Sequence, residues 1–400
     1  MAGLKFYYLK KDILFPNFNG QTLDKFLQQA LIKINFNFNP ENPAETTVII
    51  PDEVRSLIDA LCKAVKQLKS MGENYTATYL ATNMFTDLTS FSEKLKNGGR
   101  IIHACSYLQS ILDIVWNLEL ENEVKIHKGH PYFFLAFYHL LLGDLDTGFV
   151  YAYNAIKEDE ILGTLCPELG YPQNAPIYRT TLLVDDRRNR MYASVKELRR
   201  ELETLILSYN VEFNKSFTIG EFDKKFLQNE SNSALLGPRY FFTFTLWSIM
   251  KQKSRLNSQI QNNEFSKLRN LNWIFNLCLI IDKILEANQK IKKRFVGQNV
   301  EKVFEIEGFM SAKDLVEQVN KKYSMNFHKD DPDKVLKTLL PMNLKIGSQQ
   351  VPKLAIHYLI AWRLRNYGGH NIRLQKCLVD RFDEIFKILM MCLLHSVNLL

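Results

Sequence analysis

Apolar positions recur at three- and four-residue spacing over most of the chain, so helices dominate the expected structure. Pro51, Asp52 and Glu53 open the first clear one, with proline and carboxylates placed to suit a helix N-terminus. Val54, Leu57, Ile58, Leu61, Val65 and Leu68 then form one apolar face, which ends near Gly72. A second helix is expected over residues 74–96, stopped by Asn97, Gly98 and Gly99. A third runs over 101–118, with Ile102, Cys105, Leu108, Ile111, Leu112 and Val115 on one face. The stretch before residue 47 is broken by Pro16, Gly20, Pro40 and Pro43 and reads as short strands or an irregular cap.

Residues 130–160 carry the clearest local pattern of the first half. Residues 131–142 form one apolar helix, Gly143 and Asp144 turn the chain, and a second helix starts near Thr147. Ala136, Gly148, Ala152 and Ala155 let the two helices approach closely. The segment resembles one tetratricopeptide-type helical hairpin, although three copies in register are absent. Two readings stay open: a surface that binds a regulatory protein or signal ligand, and an ordinary helical hairpin. Residues 162–179 hold Gly163, Pro167, Gly170, Pro172 and Pro176 and read as loop. A polar helix follows over 185–208, with both charge signs at i,i+4 spacing. Residues 213–237 form another break, which sets the expected domain boundary at 230/231. Beyond it, helices are expected over 238–261, 264–294, 311–323, 331–339, 351–366 and 369–397. Four of them suit a four-helix bundle, with residues 296–350 as an insertion.

The expected fold class is therefore mainly α, a helical-hairpin, repeat-like domain followed by a C-terminal helical bundle. At 46% apolar and 24% charged residues, the composition excludes wholesale disorder. No uninterrupted apolar run is long enough to span a bilayer and no secretory signal is visible, so no membrane partner and a cytoplasmic location are expected. The six cysteines stand far apart without a C-x-x-C pair, which suits buried thiols better than a zinc site. Glycine-rich phosphate loops and the G-x-S-x-G elbow are also missing, which lowers the case for nucleotide or serine hydrolysis.

Charge changes the picture more. Residues 1–230 carry 25 Lys and Arg against 29 Asp and Glu, a net of −4; residues 231–400 carry 26 against 14, a net of +12. A basic C-terminal half suits a polyanionic partner such as RNA.

One constellation stands apart near the end: Arg363, Arg365, Asn366, Tyr367, Gly368, Gly369 and His370. Adjacent glycines inside a helix cost ~1 kcal/mol each against alanine. Arg365 and His370 would diverge by about 140° on a continuous helix. A break at Gly368 and Gly369 would turn both toward one pocket. The run from Arg365 to His370 resembles the R-N-x-x-x-H signature of HEPN domains (higher eukaryote and prokaryote nucleotide-binding), whose motif lies between two helices of a four-helix bundle. The resemblance covers roughly residues 231–400, with 296–350 departing from a minimal domain.

What it implies is a metal-independent endoribonuclease, active as a homodimer with a composite site and without a cofactor. His370 would serve as general base or acid, Arg365 would hold the phosphate, and Asn366 would orient either. Tyr367 would stack on a base and Arg363 would meet the RNA backbone. Asp282 or Glu286, from the second bundle helix, would add an acidic group, unless Asp282 simply pairs with a surface lysine. The biological setting implied is a regulated defence or toxin effector. Two alternatives remain: a non-catalytic nucleic-acid or nucleotide-binding scaffold, and a helical protein-interaction module.

Overall fold

Pro51 stands at the N-cap of the first long helix in extended conformation, and Asp52 and Glu53 occupy its first turn. This helix, α1 (Asp52–Ser70), buries the apolar face expected of it, from Val54 to Leu68. The computed structural model describes residues 29–37, 41, 47–72, 85–255, 264–288, 296–368, 378 and 380–400. These form mainly helix and divide into two units, 1–180 and 181–400.

In the first unit, a short antiparallel pair, β1 (Asn35–Asn37) and β2 (Thr47–Ile49), precedes α1. Then follow α2 (Phe85–Asn97), α3 (Ile101–Asn122), α4 (Gly129–Leu142) and α5 (Leu145–Leu165). The helix α3 runs past the expected end and stops at Glu123, which adopts a left-handed conformation. Its buried face is the expected one except for Ile102, which is 41% exposed.

The hairpin α4–α5 forms as its small residues dictate. Gly143 closes α4 with φ +81°, and Asp144 caps α5 by accepting a hydrogen bond from the Thr147 amide. A side chain at Gly148 would sit 2.8 Å from Leu140 Cγ, so glycine sets the approach of the two helices. The expected loop over 162–179 is in part helix: α5 continues to Leu165, and α6 (Pro176–Thr181) follows. Gly163 reads as a breaker in sequence. Its tertiary role is clearance, because a Cβ there would fall 2.0 Å from the Tyr171 carbonyl oxygen.

Where α3, α4 and α5 meet, the first unit buries a charge network. Lys128 is 2% exposed; its Nζ donates to Glu119 Oε1 at 2.6 Å and to the Ile126 carbonyl at 2.9 Å. Its amide donates to Glu158 Oε2 at 3.0 Å. Alongside, His127 Nε2 lies 3.0 Å from Asp159 Oδ1, and burial pushes that carboxyl above the usual range. Charges taken this far from water persist only when paired and hydrogen-bonded.

The second unit starts with α7 (Tyr192–Phe213) and a short turn of helix, α8 (Ile219–Phe222). The long helices α9 (Leu236–Arg255), α10 (Glu264–Ala287), α14 (Lys353–Gly368) and α15 (Phe382–Leu399) form its main body. Here α10 packs against α9, α14 and α15, and α14 packs on α15. Between α10 and α14 in sequence lie α11 (Val296–Ile306), α12 (Ala312–Tyr323), α13 (Pro332–Leu339) and a hairpin of β3 (Lys345–Ile346) and β4 (Gln349–Gln350). This region does not stand aside from the bundle, since α11 and α13 pack directly on α14.

The helix α15 is buried over most of its length from Ile385 to Val397, as expected of a helix apolar on every side. Polar groups of neighbouring elements lie against those it buries. The Tyr358 hydroxyl lies 3.0 Å from His395 Nδ1 and 2.8 Å from Ser396 Oγ, while His395 Nε2 is 3.1 Å from Glu307 Oε1.

The units divide after Thr180, whereas the break near residue 230 suggested a boundary there. The reason is packing: α7 and α8 lay their apolar sides on α15, so the polar helix joins the C-terminal body. The charge asymmetry survives the change. Residues 1–180 hold 16 Lys and Arg against 20 Asp and Glu, and residues 181–400 hold 35 against 23, so the nets stay −4 and +12. No helix among the described residues is long and apolar enough to cross a membrane.

Removing the ammonium of Lys128 would leave the largely buried Glu119 carboxylate without that cation and Glu158 with Lys125. Lys128→Met is expected to lower the unfolding free energy by about 3–5 kcal/mol. The measurement is a urea midpoint at constant slope; an unchanged midpoint would show that the buried network contributes nothing.

Candidate functional site

Four of the residues singled out in the sequence stand on the last turns of α14: Arg363, Arg365, Asn366 and Tyr367. The helix forms because Leu354, Ile356, Leu359, Ile360 and Leu364 supply apolar surface on several sides. It continues to Gly368. Gly369 and His370 lie outside the described residues, as does Cys377. Arg365 falls in the last turn, where a cation favourably meets the carbonyl end of the helix dipole.

The Arg365 side chain is 39% exposed, and its Nη2 reaches Asp282 Oδ2 of α10 at 3.5 Å. Asp282 is 4% exposed and takes a second hydrogen bond, 3.1 Å from Asn299 Nδ2 of α11. Three helices, α10, α11 and α14, thus converge on one buried carboxylate. Burial pushes the Asp282 carboxyl above the usual range, while the Asn299 amide and the Arg365 guanidinium oppose that rise. Cys278, one turn earlier on α10, is buried and its thiol is also raised by burial.

This placement differs from the surface pairing that sequence left open for Asp282. The neighbouring lysine, Lys283, pairs instead with Glu286 at 2.7 Å along the outer face of α10. Asp282 points the other way, into the helix junction, because α10 buries Cys278, Ile281, Ile284 and Leu285 around it.

Two other candidates occupy places unlike those expected. Arg363 was expected to meet the RNA backbone, but it is 6% exposed. Two residues from Arg365, it leaves α14 about 200° away and points inward. Its Nη2 donates to the Asp330 carbonyl at 2.6 Å, and its guanidinium lies 6.0 Å from the Tyr367 ring centre. Burial draws its pKa below the usual arginine value. Tyr367 was expected to stack on a base. It is itself 6% exposed, covered by Arg363 and close to Phe275, with ring centres 6.4 Å apart. Arg363 braces α14 against the loop before α13, and Tyr367 braces it against α10. Asn366 is half-buried beside them.

Sequence reasoning missed Asn299, since it lay in what read as an insertion. A signal was present: Asn299 is the polar member of the face that Val300, Val303 and Phe304 bury on α11. A buried amide on an apolar face needs a partner, and here it is Asp282. Among the described residues, no group of three or more His, Cys, Asp or Glu side chains could hold a metal ion. The chain finds no match among protein-family models, curated proteins or solved structures.

A raised carboxyl pKa has a definite sign in stability. Between the ordinary aspartate value and the higher folded value, the folded state binds more protons, so stability falls as pH rises through that window. In Asp282→Asn this contribution disappears. The difference in urea stability between wild type and variant should therefore change in the wild type's disfavour as pH climbs from the ordinary aspartate range, and level off above the raised value. A pH-independent difference would show that Asp282 titrates normally.

Proposed function

We propose that the C-terminal unit is a metal-independent endoribonuclease of HEPN type, with Arg365, Asn366 and His370 as its reacting set. One observation carries the reading: the Arg365 guanidinium stands partly exposed at the end of α14, and a buried carboxylate from α10 holds it. In this arrangement Arg365 is preorganised, because Asp282 fixes it from behind and leaves donors for a phosphate in front. The motif continues directly from there to His370.

RNA brings its own nucleophile, the ribose 2′-hydroxyl. His370 acts on that proton or supplies one to the departing 5′-oxygen, and the histidine of a second copy takes the complementary role. Arg365 stabilises charge developing on the phosphorane. Asn366 orients the imidazole or the phosphate. The products are a 2′,3′-cyclic phosphate and a 5′-hydroxyl. The net charge of +12 on residues 181–400 draws RNA to this unit. The acidic first unit, net −4, serves as a sensing or restraining domain of a cytoplasmic defence or toxin effector. In this scheme Asp282 is a positioning residue, and Arg363 and Tyr367 stiffen α14.

The test is incubation of the full chain with total RNA in EDTA. Cleavage is expected in wild type, about 10²–10³-fold slower in Arg365→Ala and about 10²–10⁴-fold slower in His370→Ala, with cyclic phosphate ends identified by mass spectrometry. Equal cleavage by wild type and His370→Ala would overturn the proposal. So would salt-dependent RNA binding without any product, which would leave a non-catalytic scaffold.

A further inference from the structure

From Leu354 to Tyr367, α14 leaves only three residues short of full burial: Trp362, Arg365 and Asn366. The three fall within about 100° of one another around the helix, and Trp362 stands one turn before the other two. Residues at this spacing have Cβ atoms about 5–6 Å apart. The accessible strip of α14 is therefore the Arg-Asn pair and one large flat ring, within a single nucleotide's reach of each other. Tyr367, the aromatic expected to meet a base, is buried about 140° away around the helix from Trp362.

Trp362 is held from the loop before α13. Its ring centre lies 5.5 Å from that of Phe327, at 54°, and 5.1 Å from that of His328, at 66°. Phe327 is fully buried and anchors the group, while His328 is exposed. The loop is itself fixed. The Asn326 side-chain oxygen accepts from the His328 amide at 3.2 Å and from the Lys329 amide at 3.0 Å, and Arg363 donates to the Asp330 carbonyl. Partial burial, and after it the Arg363 charge, draw the His328 pKa below the usual histidine value, so its ring is uncharged at neutral pH.

The indole is only half-buried, so part of its apolar surface remains in water. A nucleobase laid on that surface would bury it, and every base offers a flat face for such stacking. The neighbour on the strip selects a base over an apolar side chain of a protein. Arg365, one turn on, offers charge to a phosphate, and the unit around both carries a net +12.

We propose that Trp362, steadied by His328, is a base-stacking subsite for the nucleotide whose phosphate Arg365 holds. The subsite rests on the ribonuclease reading, which puts RNA at Arg365, yet it acts in binding and can be tested without cleavage.

The probe is a fluorescein-labelled single-stranded oligonucleotide with 2′-fluoro groups in place of its 2′-hydroxyls, which removes the nucleophile. A second probe has the same backbone without bases. Binding of both to the full chain is read by fluorescence anisotropy at one salt concentration. Trp362→Ala is expected to bind the base-bearing strand about 5–150-fold more weakly than wild type and the abasic strand equally well, with unchanged helical circular dichroism. Trp362→Phe should recover most of the loss, and His328→Ala should show a smaller loss confined to the base-bearing strand. Arg365→Ala should weaken both strands. The subsite is overturned if Trp362→Ala binds the base-bearing strand as wild type does, or if it weakens both strands equally, as a merely structural residue would. Wild type that binds neither strand overturns the subsite together with the reading beneath it. Base-dependent binding through Trp362, with no cleavage of ordinary RNA in EDTA, overturns the ribonuclease alone and supports the subsite.

Discussion

A carboxylate taken out of water must find positive charge or hydrogen-bond donors, or else give up its own charge. Asp282 meets that requirement with a guanidinium from α14 and an amide from α11, and in doing so it fixes how three helices come together. The pairing has two faces. On the inner side it satisfies a group that would otherwise strongly disfavour folding. On the outer side it leaves Arg365 partly exposed yet paired, so that less side-chain freedom would be lost in the proposed binding of a phosphate. The proposed chemistry depends on this combination of burial behind and access in front.

The same logic appears in the first unit with the signs reversed. There an ammonium, Lys128, is the deeply buried charge, and carboxylates from α3 and α5 converge on it. In both units a buried charge is met by oppositely charged side chains from other elements. The second unit adds a hydrogen-bonded cluster on α14 and α15, where the Tyr358 hydroxyl meets His395 and Ser396 within the apolar interior. Lys215 and His395 hold the Glu307 carboxyl below the usual range from the edge of this cluster, the histidine being the larger influence.

Much of the local structure was legible in the chain. The face of α1 from Val54 to Leu68, the turn at Gly143 and Asp144, and the small residues between α4 and α5 follow from periodicity and from glycine conformation. The errors share a cause. Gly163 looked like a breaker because sequence cannot separate a glycine needed for its backbone from one needed for its missing side chain. Residues 296–350 read as an insertion, and no local pattern reveals that α11 and α13 pack on α14. Arg363 and Tyr367 looked available for RNA because their types are common there. Only the direction of each side chain from the helix shows that they are buried.

By itself, then, the order of residues determined a helical chain, an acidic first part and a basic second part, and an unusual Arg-Asn motif at a double glycine. These depend on neighbours a few positions apart, or on simple counts, and both are written in the sequence. The tertiary structure decided which charges face each other: Arg365 with Asp282, Asp282 with Asn299, Lys128 with Glu119. It also decided that the division falls after Thr180 and that α14 keeps one strip, with Trp362 and Arg365, short of full burial. These contacts join residues from 9 to 83 positions apart, and their energies depend on burial, which exists only once the helices have packed.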